Sequence, residues 1–221
     1  MIFLTLQSDY FDIHYTNDDL SYIQEMTAFL REKLPDIMNF FDIKQFDSND
    51  TLQIYLYNDY EQFIKDCTID EFVPPSYTAA KFERMHGINI IRALNLTEQK
   101  VVKKDSDLIK LEYRILHECV HALHRIKIRM PLTKGGTLWF VEGLAVTVSH
   151  QYDDIPLEST CILEDIIAHK ANYNTYRTLV TYLLQEYGQD FLLSILDKKE
   201  IQEELLPTLC NAINRQKTFK K

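Results

Sequence analysis

Hydrophobic and polar positions repeat with two different periods near the start of the chain. Apolar residues stand two apart in residues 11–15 and again in residues 52–56, which predicts two strands that each bury one face. From residue 20 to residue 37 apolar residues stand three or four apart, which predicts a helix between the strands. Asn17 or Asp18 is suited to cap the start of this helix.

The stretch up to residue 94 predicts a second helix and a hairpin. Asn58 and Glu61 have the spacing of a capping box, which would open a short helix that continues to about Cys67. Within residues 76–94, two extended stretches flank a turn at residues 85–87. This arrangement is typical of a β-hairpin.

A longer helix is predicted from about Ser106 to Lys127, because apolar residues recur three and four apart over several turns. His117, His121 and His124 lie outside the apolar sector and form a separate stripe along this helix. This stripe is predicted to line a polar site.

The second half of the chain is mainly helical in pattern. Apolar residues keep a helical spacing in most of the stretch after residue 142, and no repeat or low-complexity linker marks a domain boundary. We therefore predict an α+β fold in a single domain, residues 1–221. Its mixed N-terminal lobe would cover about residues 1–128 and its mainly helical C-terminal lobe residues 129–221.

Residues 117–121 read HECVH, an HExxH sequence within the predicted helix. His117 and His121 would project from one face about one turn apart, so their imidazoles can hold one Zn²⁺. Glu118 is offset around the helix, where it can act as general base toward water at the metal. A catalytic zinc needs a third protein ligand and one open position, and that ligand must come from a second element.

Glu142 is the predicted third ligand. It lies in the sequence WFVEGLA at residues 139–145, which is predicted to be a helix that follows a loop at residues 134–136. Gly143 and Ala145 are small enough to let this helix pack closely against a neighbour.

The HExxH sequence followed after 20 residues by Glu142 resembles the metal site of the gluzincin metallopeptidases, which include thermolysin and the aminopeptidase N family. The chain looks most similar to the small bacterial peptidase MA-like group, over about residues 85–195. This resemblance implies a zincin-like fold with its active site in a cleft between two lobes. It also implies a zinc peptidase that carries one Zn²⁺ per chain on His117, His121 and Glu142.

A downstream segment extends the resemblance. Tyr173, Tyr182 with Leu183, and Gly188 have the register of a helix in these families that begins with a tyrosine and ends at glycine. In those families the leading tyrosine donates a hydrogen bond to the oxyanion of the tetrahedral intermediate. The resemblance assigns this role to Tyr173, with Tyr176 as the alternative.

Two further features concern substrate and supporting residues. In gluzincins an edge strand beside the active-site helix pairs with extended substrate, and the resemblance assigns this role to residues 87–94. Val146 stands where thermolysin relatives have an aspartate that orients a zinc histidine. The Gly-Ala-Met-Glu-Asn segment that holds a substrate amino terminus in aminopeptidase N relatives is absent, so exopeptidase specificity is not implied.

Composition narrows the class of protein. A hydrophobic content of 46% in 221 residues is enough for a folded core, and a net charge of −9 without a large basic cluster argues against nucleic acid as a partner. The four cysteines lack CxxC spacing, which predicts no disulfide framework. The N-terminal residues do not have the pattern of a signal peptide, and no apolar run is long enough to span a membrane, which predicts a cytoplasmic protein.

The sequence therefore predicts zinc-dependent hydrolysis of peptide bonds in a peptide or protein substrate, with Glu118 as general base. One alternative is a non-catalytic binding protein that retains the zincin-like scaffold and the metal site. Another is a structural zinc site closed by a fourth protein ligand. Cys119 is poorly placed to be that ligand, because its side chain points about 200° around the helix from His117. His124 is assigned no metal role.

Overall fold

The computed structural model describes residues 2–47, 50–67, 80–95 and 110–216. The fold is α+β, and the chain divides into two compact units, Met1–Ala122 and Leu123–Lys221. The elements up to α3, in chain order, are β1 (Leu4–Gln7), β2 (Phe11–Tyr15), a 3₁₀ turn (Asn17–Asp19), α1 (Leu20–Phe40), β3 (Leu52–Tyr57), α2 (Tyr60–Cys67), β4 (Ala80–Met85), β5 (Ile88–Leu94) and α3 (Leu111–Ile128). They are followed by α4 (Leu132–Gly135), α5 (Leu138–Val148), α6 (Leu163–Ile167), α7 (Tyr173–Ser194) and α8 (Lys199–Gln216).

The first unit contains a five-stranded sheet in the order β1-β2-β3-β5-β4. The three central strands β2, β3 and β5 are parallel, and the outer strands β1 and β4 run antiparallel to their neighbours. The predicted strands at 11–15 and 52–56 are confirmed. Their alternating apolar residues are fully buried, as expected for strands in the middle of a sheet: Phe11, Ile13, Leu52, Ile54 and Leu56.

The hairpin predicted within residues 76–94 is confirmed over residues 80–94, whereas residues 76–79 lie outside the described residues. The strand expected at the edge of the sheet is wrong. His86 and Gly87 both have positive φ, 50° and 85°, which is the backbone of the tight turns that join antiparallel strands. The edge strand was expected in residues 87–94, yet β5 pairs with β3 on one side and β4 on the other. In the described sheet the edges are β1 and β4. The apolar β5 takes the interior place, whereas β4 reads AKFERM and its charged residues suit an edge.

The predicted helices α1 and α2 are confirmed, although their caps differ from those expected. The helix predicted from about Ser106 is confirmed from Leu111 onward as α3, and residues 106–109 lie outside the described residues. The Thr16 backbone N–H donates to the Asp19 carboxylate at 3.0 Å and fastens the 3₁₀ turn that precedes α1. At α2 the Gln62 N–H donates to Asp59 Oδ1 at 2.9 Å, so Asp59 caps this helix rather than Asn58. The Asn58 amide instead reaches Asp18 at 3.0 Å. The residues that precede a helix often compete for the cap, and sequence spacing alone does not choose between them.

In the second unit α5 is almost entirely apolar, and its start is held by α8. Gln202, which is fully buried, accepts hydrogen bonds from the Thr137 N–H at 2.8 Å and from the Thr137 hydroxyl at 3.1 Å. Its amide nitrogen donates to the Ile195 carbonyl at 2.7 Å. One buried amide therefore satisfies backbone groups at both the start of α5 and the end of α7.

Two details of the second unit bear on the predictions. The expected loop at 134–136 begins within the short helix α4. The helix that begins at Tyr173 is confirmed, and Gly188 interrupts it with φ 80° and ψ 171°, after which a short helical stretch continues to Ser194. None of the described helices combines the length and the apolar character needed to cross a membrane.

The sequence predicted no disulfide framework, and it did not anticipate the one bond between Cys161 and Cys210, which are 49 positions apart in the chain. The Asn214 side chain holds the same place: its oxygen accepts from the Cys161 N–H and its nitrogen donates to the Cys161 carbonyl, both at 2.9 Å. Neither cysteine has a partner at a characteristic sequence spacing, so the pairing depends on contacts that only the fold creates. Cys67 and Cys119 are buried free thiols.

We expect two of the four cysteines to react with a thiol reagent when the oxidised protein is denatured without reductant, and all four after reduction. The measurement is a colorimetric thiol titration. A protein carrying Cys161→Ser and Cys210→Ser serves as the control and should give two reactive thiols under both conditions. Four reactive thiols in the oxidised, unreduced protein would contradict the disulfide.

Candidate metal centre

His117 and His121 bring two imidazole nitrogens to one point on α3. Their Nε2 atoms lie 3.1 Å apart, and the rings are 4.7 Å apart between centroids and nearly perpendicular. Two ligands of one tetrahedral ion, each about 2.0 to 2.1 Å from it, are about 3.3 Å apart. Both side chains are buried. Helical spacing thus places the two nitrogens at the separation that a single ion requires.

Glu142 on α5 completes a group of three potential ligands. A carboxylate oxygen of Glu142 and one ring nitrogen each of His117 and His121 all lie within 4.8 Å of one another. Two imidazole nitrogens and one carboxylate oxygen are a donor set that fits a divalent transition metal. Within the described part of the chain no fourth His, Cys, Asp or Glu joins this group. The group could hold a metal ion.

Neither Glu118 nor Cys119 belongs to this group, although both lie within the same helical turn. Cys119 is fully buried, and burial, followed by the Glu118 carboxylate, raises the pKa of its thiol. Glu118 also interacts electrostatically with Lys81 on β4 and with Cys67 at the end of α2. Glu118 is thus outside the group of three potential ligands.

His124, one turn after His121, has a structural role. Its side chain is fully buried, and Nε2 donates a hydrogen bond to the Leu196 carbonyl at 3.1 Å. It is not a member of the potential ligand group.

Gly143 lets the helix that carries Glu142 lie directly against α7. A methyl group at position 143 would come within 2.8 Å of the Tyr176 carbonyl carbon and 2.7 Å of Val180 Cγ2. Atoms this close cannot coexist with a β-carbon, so only glycine fits without a shift of the helices. Glu142 immediately precedes Gly143 on α5, and Tyr176 is the α7 residue whose backbone Gly143 contacts.

Tyr173 and Tyr176 differ in their surroundings. Tyr176 is 3% exposed, and burial, followed by the Glu142 carboxylate, raises the pKa of its phenol. Tyr173, the first residue of α7, is 47% exposed, and its ring centroid lies 6.5 Å from that of Tyr176. Tyr176 is thus a buried residue, whereas Tyr173 is an exposed one.

The start of α7 is fastened to the segment that precedes α6. Arg177 Nη1 donates to the Ile155 carbonyl at 2.7 Å, Asn174 donates to the Pro156 carbonyl at 2.9 Å, and the Thr178 hydroxyl accepts from the Glu158 N–H at 2.9 Å. These bonds satisfy backbone groups of an irregular segment and hold the first two turns of α7 in place.

Two residues near the site escaped the sequence analysis. Gln202 lies 60 positions after Glu142 and supports α5 through a buried amide, a role that leaves no local pattern. Lys81 lies on the edge strand and interacts electrostatically with Glu118. Its only signal is the alternation of charged residues at 81 and 83, which marks one face of the strand.

No protein-family model matches the chain, and a comparison with functionally characterised proteins finds no significant match. Arguments about function therefore depend on the geometry of the site.

We expect Gly143→Ala to lower the free energy of unfolding by about 1 to 3 kcal/mol, because the added methyl group collides with the α7 backbone. The displaced α5 should also weaken metal affinity through Glu142. Thermal unfolding and a metal-binding titration measure the two effects.

Thr147→Ala is the matched control on the same helix. The Thr147 hydroxyl is buried and makes no hydrogen bond within the described residues, so its removal should change stability by less than about 0.5 kcal/mol and leave metal affinity intact. Equal behaviour of the two variants would contradict the role assigned to Gly143.

Proposed function

We propose that the chain is a zinc-dependent metallopeptidase of the gluzincin type, related to the peptidase MA-like group. The observation that carries this proposal is the convergence of His117, His121 and Glu142 on one point. Imidazole nitrogen and carboxylate oxygen suit zinc, and two histidines with one glutamate, together with an open position, are the ligands of a hydrolytic rather than a structural zinc site. Zinc held by such ligands supplies a Lewis acid and makes water a nucleophile at neutral pH.

Glu118 is the proposed general base in this reaction. It follows the potential ligand His117 in sequence and is not itself a member of the ligand group. In the proposed mechanism it accepts a proton from the attacking water and returns that proton to the nitrogen of the leaving amine. The peptide carbonyl carbon becomes tetrahedral, and negative charge develops on its oxygen.

Tyr173 is the proposed hydrogen-bond donor to that oxygen. Tyr173 is partly exposed, as a residue that meets substrate must be, whereas Tyr176 is buried and the Glu142 carboxylate raises the pKa of its phenol in addition to burial. A donor that meets the oxygen only when charge develops stabilises the transition state more than the substrate. Tyr176 would instead steady the Glu142 carboxylate.

The substrate backbone has a binding edge in β4. Among the described strands β4 pairs with β5 alone, and in this proposal its other side offers N–H and C=O groups to an extended peptide. An added strand is recognised through its main chain, which suits an enzyme that cuts peptide bonds. The role assigned at first to residues 87–94 therefore passes to β4.

We expect Glu118→Gln to retain zinc and to lose at least about 10²-fold in peptide hydrolysis, because the variant keeps all three ligands but has no base. Zinc content by elemental analysis and cleavage of a quenched fluorescent peptide library provide the two measurements. Hydrolysis by the wild-type protein should disappear with a chelator and return with added zinc.

Glu142→Gln is the matched comparison, because it makes the same chemical change at the proposed ligand. A neutral amide should weaken zinc affinity by more than about 10-fold. Equal zinc loss in the two variants would show that the roles of the two glutamates are wrongly assigned. Zinc-loaded wild-type protein that hydrolyses no peptide would refute the proposed activity.

We expect Tyr173→Phe to lower kcat by about 10²-fold while KM and zinc content change little, because only the transition-state hydrogen bond is lost. Tyr176→Phe, one turn later on α7, should instead affect zinc affinity more than kcat at saturating zinc. Steady-state kinetics on zinc-loaded proteins measures both. If Tyr176→Phe lowers kcat and Tyr173→Phe does not, the donor is Tyr176. Full activity in both variants would exclude both tyrosines as the donor.

A further inference from the structure

We infer that the indole N–H of Trp139 orients the proposed zinc ligand Glu142, by donating a hydrogen bond to the carboxylate oxygen that does not bind the metal. Trp139 is thus a positioning residue, which acts on the metal through Glu142. This inference rests on the proposed function, because it requires zinc at the site, but it does not depend on peptide hydrolysis.

Trp139 carries a buried hydrogen-bond donor. The residue is 3% exposed, and its Nε1 atom is buried and makes no hydrogen bond within the described residues. An indole has one N–H group, which can only donate. Buried donors without an acceptor are rare in folded proteins, because the hydrogen bond lost to water is not replaced. The Trp139 N–H therefore requires an acceptor beyond those that the described contacts supply.

Helical spacing places this donor next to Glu142. Both residues lie on α5, three positions apart, a spacing at which the β-carbons are about 5 to 6 Å apart. Side chains of a helix lean toward its N-terminus, so Glu142 leans over the turn that contains Trp139. The carboxylate can therefore reach the edge of the indole by rotation about its own side-chain bonds.

Trp139 also lies on the side of α5 that carries the ligand. At 3.6 residues per turn it is about 60° from Glu142 and about 40° from Gly143 around the helix axis, and it lies between the two. The Glu142 carboxylate belongs to the potential ligand group, and Gly143 contacts the α7 backbone. The indole is therefore held between two directions that the structure defines.

The donor is fixed, whereas the acceptor can adjust. Trp139 packs edge-on against Phe140, with ring centroids 5.6 Å apart, and is buried, while Glu142 is only partly buried. A glutamate that binds a metal through one oxygen keeps the other as an acceptor, and ligating carboxylates are commonly hydrogen-bonded in this way. A hydrogen bond to a charged oxygen is also stronger than one between neutral groups. A fixed indole therefore favours the carboxylate orientation in which the first oxygen meets the metal.

The test uses the fact that Trp139 is the only tryptophan in the chain. Expression in a tryptophan auxotroph supplied with benzothienylalanine replaces this residue alone by an isostere that has sulfur in place of the N–H group. We expect the zinc dissociation constant, measured by competition with a chromogenic chelator, to rise by about 10-fold. The melting temperature without zinc should not fall, because the N–H makes no hydrogen bond there.

Thr147→Val is the matched control on the same helix. The Thr147 hydroxyl is also buried and also makes no hydrogen bond in the part of the chain that the structure describes, but it lies about 140° from Glu142 around the axis. Its removal should leave zinc affinity unchanged. A loss of affinity equal to that of the isostere would show that any change within α5 weakens the site, and would overturn the role of Trp139.

Combination of the isostere with Glu142→Gln identifies the acceptor. If the indole donates to the carboxylate, the isostere should weaken zinc binding much less in Glu142→Gln than in the wild-type protein. In a proton–nitrogen correlation spectrum, the single indole N–H signal of the wild-type protein should move downfield when zinc is added. It should move little in Glu142→Gln at saturating zinc. Equal effects of the isostere in both proteins would overturn Glu142 as the acceptor.

The failure of this inference is distinguishable from the failure of the proposed function. An unchanged zinc dissociation constant with the isostere overturns the inference alone, and a lower kcat/KM in that case would mean that the N–H acts on the substrate. If the wild-type protein binds zinc but hydrolyses no peptide, the proposed function fails and the zinc dissociation constants still decide the inference. If it binds no zinc, both fail.

Discussion

The absence of a side chain at residue 143 is the constraint on which the second unit depends. Because Gly143 lies against the Tyr176 backbone, the distance between α5 and α7 is fixed by main-chain contact rather than by adjustable side chains. Glu142 precedes Gly143, and Tyr176 provides the backbone that Gly143 contacts. The positions of the potential metal ligand and of the Tyr176 phenol therefore depend on this contact. Gln202 reinforces the arrangement by binding backbone groups of both helical segments.

The three potential ligands acquire their positions by different means. His117 and His121 are set by one turn of α3, and their geometry would survive in any helix that forms at these residues. Glu142 depends on a separate helix, on its cap and on its packing partner. Metal affinity should therefore respond to distant substitutions that disturb the cap or the packing of the helix that carries Glu142. It should respond much less to distant substitutions through His117 and His121. Such supporting contacts commonly decide how well a site is preorganised.

Sequence reasoning succeeded where the determining contacts are local. Alternation identified β2 and β3, helical periodicity identified α1 and α3, and the spacing of two histidines anticipated the convergence of their nitrogens. It failed where two candidates have similar local patterns and a distant contact decides. A hairpin does not reveal which of its strands joins the rest of the sheet, so β4 was missed as the edge. The helix cap at Asp59 and the bond between Cys161 and Cys210 were missed for the same reason.

Cys161 is held to α8 in two chemically independent ways. The disulfide is sensitive to the redox conditions of the compartment, whereas the paired hydrogen bonds from Asn214 to the Cys161 backbone are not. The amide of Asn214 imitates a neighbouring strand, because it satisfies both the donor and the acceptor of one residue. Because these hydrogen bonds do not involve sulfur, the segment that leads into α6 can keep its position on α8 after the disulfide is reduced.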